Sequence, residues 1–271
     1  GEILSLLGEN GSGKTTLMNM ISGIYFPDEG HICVGGREVT IRSPKDAYAL
    51  GIGMIHQHFK LVDVFSATEN IALSMGSGEK FDLKKVHDKA RAICEKYEFA
   101  LDLDQKVYEM SVSQKQTLEI VKVLYRGADI LILDEATAGL DPLAREEALD
   151  ILRGYMRDER HGILMSSHIT SDLEKIADYI VCIDAGRIVF AVEKDTITDL
   201  AGIAHCRATD YERIAESGFF APGELRSMRH PYGIDVLAPD RFAFAENFKN
   251  IPVDKADIDV YMGMMLKGEV R

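Results

Sequence analysis

The stretch that decides the fold is GEILSLLGENGSGKTT, residues 1–16. A short apolar run from Ile3 to Leu7 leads into glycines, and from Lys14 the apolar residues recur at helical spacing until Gly23. This order predicts a buried parallel strand, a loop and a helix. Within the stretch, GENGSGKT matches the pattern GxxxxGK[ST] in the strand, loop and helix context that the pattern requires.

Such a loop is suited to binding phosphate. Its glycines allow successive backbone N–H groups to converge on an anion at a helix N-terminus. Lys14 would reach the β and γ phosphates of a nucleotide, and the hydroxyl of Thr15 would hold Mg²⁺. We therefore expect the loop and the first turn of the helix to bind nucleotide through Gly8, Asn10, Gly11, Ser12, Gly13, Lys14, Thr15 and Thr16.

A second apolar strand, LILDE, ends in two carboxylates, Asp134 and Glu135. Asp134 can bind Mg²⁺ through water, and Glu135 can polarise an attacking water. Taken alone, acidic residues after a strand more often form a solvated loop or a helix cap. The phosphate loop in the same chain favours the catalytic interpretation.

Strand and helix patterns alternate along the chain to about residue 190, which predicts an α/β P-loop fold with a parallel sheet covered by helices. Ser66 and Glu69 predict a capping box at a helix start. We expect an ATP-binding domain over residues 1–190 with a helical insertion over about 60–127. A small α+β appendage is expected over residues 191–271, with helices over about 195–200 and 254–266.

Composition limits the partners. The chain carries 31 Lys and Arg against 44 Asp and Glu, a net charge of -13, so we expect no nucleic-acid partner. The four cysteines are far apart and form no CxxC pair, which indicates neither a disulfide framework nor a zinc site. An i, i+2 histidine pair, His56 and His58, could be interpreted as metal ligands, but without a further partner such a pair is more often incidental.

Over residues 1–190 the sequence resembles the ATP-binding subunits of ABC transporters. Motifs occur in that family's order: the phosphate loop, Gln57 in IHQHF, a signature-like MSVSQ at residues 110–114, LILDE, AGLD at residues 138–141, and His168 in MSSH. The front part resembles the ATPases of sugar or nucleoside importers, and the part from ATAGLDP onward resembles single-domain ATPases of drug or antibiotic exporters. We interpret the chain as a mosaic of the two, in which the strand before His168 must lie between the phosphate-loop strand and the LILDE strand.

The resemblance implies ATP and Mg²⁺ as cofactors and an ATP hydrolase as the activity. Gln57 would contact the metal and the attacking water while its loop senses the transport partner, and His168 would contact the γ-phosphate. Ser111 with its neighbours Ser113 and Gln114, and Asp141, would belong to the nucleotide sites of a dimer in which one subunit closes over the ATP of the other.

Partners and location follow from the same resemblance. A second ATP-binding subunit, identical or homologous, would complete each site, and transmembrane permease subunits would carry out transport. The protein would then be cytoplasmic and peripheral on the inner face of the cell membrane.

Two departures from the family pattern modify this expectation. Val112 and Ser113 replace the glycines of the usual LSGGQ signature, and a Cβ there crowds a backbone meant to approach phosphate, so we expect an altered contact.

Family members also carry an N-terminal β region with an aromatic residue that stacks on adenine. Only seven residues precede Gly8 and none is aromatic, so we expect this region to be missing, nucleotide binding to be weaker by roughly tenfold to a hundredfold and activity to be impaired.

Two alternatives stay open. One is a non-catalytic or truncated nucleotide-binding fragment in which Lys14 and Glu135 survive without turnover. The other is a soluble ABC-type ATPase of DNA repair or translation without a membrane partner. Repair members carry a very long coiled-coil insertion and translation members usually carry two cassettes, and the sequence has neither.

Overall fold

The computed structural model of the chain describes residues 1–55, 60–75, 81–135 and 140–271. These residues form two compact units, one of residues 1–6 and 13–169 and the other of residues 7–12 and 170–271. The predicted site residue Gln57, the histidines beside it and the start of the AGLD motif lie outside the described residues. The predicted domain boundary at residue 190 stays a prediction.

The first unit contains both strands and helices. In chain order they are β1 (Ile3–Leu7), α1 (Lys14–Ile21), β2 (Ile32–Val34), β3 (Arg37–Val39), α2 (Pro44–Ala49), β4 (Ile52–Ile55), α3 (Ala67–Ala72), α4 (Leu83–Tyr97), α5 (Val112–Tyr125), β5 (Ile130–Asp134), α6 (Pro142–Tyr155) and β6 (Gly162–Ser166).

Parallel strands in the order β4, β5, β6, β1 form the sheet of this unit. Leu131, Ile132 and Leu133 of β5 are at most 1% exposed, as expected for a strand covered on both faces. β6 pairs with β1 on one side and with β5 on the other, so the strand before His168 lies where the sequence predicted it. Asp134 and Ser166 are register partners at the carboxyl ends of their strands, where polar groups of several strands meet.

The helices between β4 and β5 begin at polar caps. Ser66 and Glu69 form the predicted capping box of α3: the Ser66 N–H donates to Glu69 Oε2 at 2.6 Å, and the Glu69 N–H donates to Ser66 Oγ at 3.2 Å. Asp82 caps α4, whose residues Val86 and Tyr97 belong to a buried stripe at helical spacing. This amphipathic pattern is what made the helices recognisable in the sequence.

The second unit contains the remaining elements. In chain order they are α7 (Thr170–Ile176), β7 (Tyr179–Asp184), β8 (Arg187–Glu193), β9 (Gly202–Cys206), α8 (Ala208–Glu216), β10 (Arg226–His230), β11 (Gly233–Ala238), α9 (Arg241–Asn247), β12 (Val253–Lys255), α10 (Ile258–Lys267) and β13 (Glu269–Val270). A short helical turn, Thr196–Leu200, lies between β8 and β9, where the sequence predicted a helix. β7 and β8 pair antiparallel and form a hairpin.

The C-terminal part of this unit is an antiparallel sheet in the order β12, β9, β11, β10, β13. One apolar cluster of the sheet includes Tyr211 of α8 and Phe244 of α9, and another includes Met264 of α10. The α+β character expected for the appendage is therefore confirmed. Among the described residues, no helix has the length and apolar character needed to cross a bilayer.

The predicted helix over residues 254–266 begins later than expected. Asp254 pairs with Ile203 in the sheet, and α10 starts at Ile258 after its N-cap Asp257, whose carboxylate accepts the N–H of Val260 at 2.7 Å. The β-branched Val253 favours the strand that it begins, and the Asp257 cap starts the helix shortly after that strand ends.

The cysteines give a test of this packing. Cys33 is exposed, whereas Cys94, Cys182 and Cys206 are buried, and burial raises the pKa of the Cys94 and Cys206 thiols to about 11. At pH 8 only about one such thiol in a thousand is then a thiolate. We expect iodoacetamide to modify one cysteine of the native protein quickly and all four after denaturation, as counted by intact mass. Rapid native modification of Cys94 or Cys206 would contradict the fold.

Candidate nucleotide site

The glycine-rich loop lies between β1 and α1, in the context that the sequence predicted. Gly11 (φ +83°) and Gly13 (φ +110°) have left-handed backbone conformations that favour glycine. A Cβ on Gly8 would lie 2.2 Å from the carbonyl oxygen of Ile183, so this position also requires glycine. Gly13 is the N-cap of α1 and offers no side chain to the first turn, which leaves the amides at this helix start suited to an anion.

The first turn of α1 lies against the tip of β5. The Thr15 hydroxyl donates to Asp134 Oδ1 at 3.3 Å, and Lys14, the residue before it, is only 5% exposed. The structure thus brings together two groups that lie 119 residues apart in the sequence. A hydroxyl and a carboxylate oxygen are the hard ligands that Mg²⁺ prefers, and Mg²⁺ takes its other ligands from water and phosphate. These two residues therefore fit the metal expected here.

Glu135 follows Asp134 with an unusual backbone. Its φ is +49°, a conformation that non-glycine residues rarely adopt. The Glu135 N–H donates to Ser166 Oγ at 3.0 Å, and Ser166 Oγ donates to Asp134 Oδ1 at 2.7 Å. One hydroxyl of β6 therefore connects both members of the acidic pair.

His168 follows β6 and approaches the same pair. Its Nδ1 lies 3.7 Å from Glu135 Oε1, with half of the His168 side chain exposed and the Glu135 side chain mostly covered. Glu135 and His168, two of the three residues predicted as catalytic, are thus adjacent, and the third, Gln57, lies outside the described residues. The contact of His168 with a γ-phosphate stays a prediction.

The residues of the signature-like motif lie at the N-terminus of α5. Ser111 is its N-cap, and Ser111 and Gln114 form a capping box through bonds of 2.9 and 3.2 Å. Neither Val112 nor Ser113 has a positive φ, so both sit in ordinary helical backbone that tolerates a Cβ. Ser111, Ser113 and Gln114 line a cavity of about 710 Å³ that α6 also borders.

Asp141 caps the other helix at this cavity. Its carboxylate accepts the N–H groups of Leu143 and Ala144, both at 3.0 Å, and this bonding fixes the start of α6. A nucleotide contact of Asp141 stays a prediction, as do those of Ser111, Ser113 and Gln114. Among the residues that the structure describes, no group of three or more His, Cys, Asp or Glu side chains is arranged to hold a metal ion.

Ser166 is the residue of this site that the sequence did not single out. The available signal was its position: two serines end an otherwise apolar strand directly before His168. The Ser166 hydroxyl is buried at the carboxyl end of β6, which lies between β1 and β5. From there it can orient Asp134 and Glu135.

Comparison with known proteins identifies relatives of the chain. Residues 1–138 match the ABC transporter family. The nucleoside import ATP-binding protein NupA of Lactococcus lactis is 44% identical over 195 residues, which cover 71% of this chain and 38% of that protein. The guanosine import ATP-binding protein NupO of Bacillus subtilis is 40% identical, covering 73% of this chain and 39% of that protein. The chain thus spans less than half the length of these relatives.

Solved structures show the same fold. CbiO1 from Clostridium perfringens, part of the ABC transporter complex cbiONQ, aligns with a TM-score of 0.64 at 22% identity, covering 80% of this chain and 84% of that chain. The ADP conformation of an ATP-binding cassette of another ABC transporter aligns with a TM-score of 0.63 at 23% identity, covering 73% and 84% of the two chains. The predicted P-loop α/β fold is confirmed. The resemblance of the rear part to exporter ATPases stays a hypothesis.

The signature-like helix gives a testable prediction. If the Ser113 Cβ crowds a phosphate, Ser113→Gly should tighten ATP-driven dimerisation by about tenfold and change turnover, while the lower helix propensity of glycine should reduce the free energy of unfolding by about 0.5 kcal/mol. Dimerisation is measured by light scattering with ATP and stability by urea unfolding. Ser171→Gly, at the second position of α7, is the matched control and should change stability alone. Unchanged dimerisation and turnover in Ser113→Gly would contradict the prediction.

Proposed function

Because the chain belongs to the ABC transporter family, we propose that it is an ATP-binding and hydrolysing subunit that drives transport by membrane permease subunits. The observation that carries the proposal is the contact between the Thr15 hydroxyl and Asp134, which joins the helix after the phosphate loop to the tip of the acidic strand. A nucleotide bound at the start of α1 would lie beside both carboxylates of that strand.

Each residue of this site has a chemical role in the proposal. The amides at the start of α1 and the Lys14 ammonium bind the phosphates. Thr15 and Asp134 would hold Mg²⁺, which neutralises charge on the phosphates when bound. Glu135 accepts a proton from the water that attacks the γ-phosphate in line, and His168 contacts the γ-phosphate from the end of β6.

A second ATP-binding subunit is part of the proposal. Ser111, Ser113 and Gln114 lie at the N-terminus of α5, where helix amides are suited to an anion. In the proposed dimer these residues close over the ATP of the partner subunit. Closure of the two subunits is then the step that performs mechanical work on the permease.

The relatives suggest what is transported. Their names assign import of nucleosides or guanosine to them, and another relative, 35% identical over 73% of this chain, is a ribose import ATP-binding protein of Caldanaerobacter subterraneus. We infer that this chain serves an importer of nucleosides or sugars, at the cytoplasmic face of the membrane.

An exposed apolar patch in the helical part of the first unit is the surface that we assign to the permease. We define the patch as Val64, Phe65 and Tyr108, which are 67%, 36% and 62% exposed. Its two segments are joined by the Val107 N–H, which donates to the Phe65 carbonyl at 3.0 Å, and the Tyr108 N–H, which donates to the Asp63 carbonyl at 3.1 Å. Exposed apolar side chains on a rigid backbone are typical of a protein contact.

The segment that enters this patch is also fixed to α5. The Lys60 N–H donates to Glu119 at 2.9 Å, and the Lys122 ammonium donates to the Lys60 carbonyl and to the Glu119 carboxylate, each at 3.1 Å. Glu119 is only 8% exposed. Movement of the patch against a permease would therefore be transmitted to α5, the helix that Ser111 caps.

The decisive test of hydrolysis is Glu135→Gln. The amide keeps the shape of the side chain but cannot act as a base, so we expect kcat for ATP to fall by about 10²–10⁴-fold with ATP affinity retained within threefold. Steady-state phosphate release measures kcat, and titration with a fluorescent ATP analogue measures affinity. Glu216→Gln, an exposed residue at the end of α8, is the matched control. Equal hydrolysis by wild type and Glu135→Gln would favour the non-catalytic alternative.

The permease patch is tested by Tyr108→Asp. A charge in the apolar patch should weaken association with the membrane subunits of the same transporter by at least tenfold and leave basal hydrolysis within twofold. Co-purification from detergent-solubilised membranes measures association. Tyr232→Asp in the second unit, where the tyrosine is 94% exposed, controls for added charge. Equal losses in both variants would exclude the patch as the contact.

A further inference from the structure

Ser166 connects the two acidic residues that end β5, and the directions of its hydrogen bonds are fixed. A backbone N–H only donates, so Ser166 Oγ accepts from Glu135 at 3.0 Å. Its single hydrogen is then left for Asp134 Oδ1 at 2.7 Å. The hydroxyl therefore accepts one bond and donates the other, and replacing it breaks both bonds at once.

The position of Ser166 follows from the sheet. Ser166 and Asp134 are register partners on adjacent parallel strands, which places their side chains beside each other. Ser166 is 1% exposed and Asp134 9% exposed, so water does not readily replace the hydroxyl. The carboxylate oxygen that accepts from Ser166 also accepts from Thr15 at 3.3 Å, which links β6 to the first turn of α1.

The backbone of Glu135 depends on the same bond. At φ +49° a non-glycine residue is in an unfavourable region and keeps this conformation only where its surroundings hold it. The hydrogen bond from the Glu135 N–H to Ser166 supplies such a restraint. It acts on the residue whose side chain lies beside His168.

We propose that Ser166 is a positioning residue for ATP hydrolysis, which orients the Asp134 carboxylate beside Thr15 and holds the Glu135 backbone, so that metal ligand and general base keep one geometry. Ser166 itself contacts neither nucleotide nor metal. The inference rests on the proposed function, because the roles of Asp134 and Glu135 belong to it. Residues that hold metal ligands typically affect metal affinity or activity by 10–100-fold when changed.

The first measurement is the Mg²⁺ dependence of hydrolysis by Ser166→Ala. We expect half-saturation to need about tenfold more Mg²⁺ and kcat to fall at least tenfold, with KM for ATP within threefold of wild type. Ser5→Ala is the matched control: Ser5 lies in the same sheet, is 0% exposed, and its Oγ has no hydrogen-bond partner within the described part of the chain. It should leave all three values unchanged.

Two further measurements do not depend on turnover. In nucleotide-free protein, amide hydrogen exchange at Glu135 should be at least tenfold faster in Ser166→Ala than in Ser5→Ala, because the N–H has lost its acceptor. Mn²⁺ binding in the presence of a non-hydrolysable ATP analogue, followed by EPR, should be about tenfold weaker. Ser166→Thr keeps the hydroxyl and should restore exchange and Mn²⁺ binding to within threefold of wild type.

The outcomes separate this inference from the proposed function. Exchange at Glu135 or Mn²⁺ binding that is the same in Ser166→Ala and Ser5→Ala overturns the positioning role, as does a Ser166→Thr variant that behaves like Ser166→Ala. A wild-type chain that binds the analogue with Mn²⁺ but hydrolyses no ATP contradicts the proposed function instead, while exchange and Mn²⁺ binding still decide on Ser166.

Discussion

The pairing of β6 between β1 and β5 is the constraint on which the site depends. It aligns Ser166 with Leu6 on one side and with Asp134 on the other. The strand that precedes the phosphate loop, the strand that ends in the acidic pair and the strand that precedes His168 therefore finish at one edge. Since the side chains of Ser166 and Asp134 must meet within hydrogen-bond distance, a shift of one residue in the pairing of β5 and β6 would turn the serine or the carboxylate to the opposite face.

The same pairing explains how polar groups are tolerated at the end of an apolar sheet. The middle of β5 is fully buried and apolar, and polarity begins only at Asp134. There the carboxylate accepts hydrogen bonds from Ser166 and Thr15, so a nearly buried charge is compensated by hydroxyl donors. Such an arrangement is rigid, and rigidity is what an enzyme needs at a group that orients a metal ion.

Local patterns in the sequence predicted much of this arrangement. The apolar run before Gly8, the glycines and Lys14 predicted the strand, the loop and the helix, because each signal lies within a few neighbouring residues. The prediction of the strand order depended instead on family resemblance. Pairing between β6 and β1 joins segments 160 residues apart, so no local sequence pattern indicates it. The proximity of Thr15 to Asp134 was likewise expected only because the two motifs were interpreted together as one nucleotide site.

What the sequence could not predict depends on backbone geometry. The left-handed conformation of Glu135 and the double hydrogen bond of Ser166 have no signature in residue type, because serine after an apolar strand is common. The sequence placed the start of α10 too early, at Asp254. An aspartate is typical of a helix start, but in the fold this residue pairs with β9. Val112 and Ser113 lie in the first turn of α5 without backbone strain, and the altered phosphate contact expected of them stays a prediction.

The most direct measurement of the central claim is a crystal structure of the Glu135→Gln protein grown with ATP and Mg²⁺. The account predicts the β and γ phosphates at the start of α1, the metal about 2.0–2.1 Å from Thr15 Oγ1 and a water between the γ-phosphate and residue 135. A triphosphate bound away from the start of α1, or a metal with neither Thr15 nor Asp134 near it, would contradict the account.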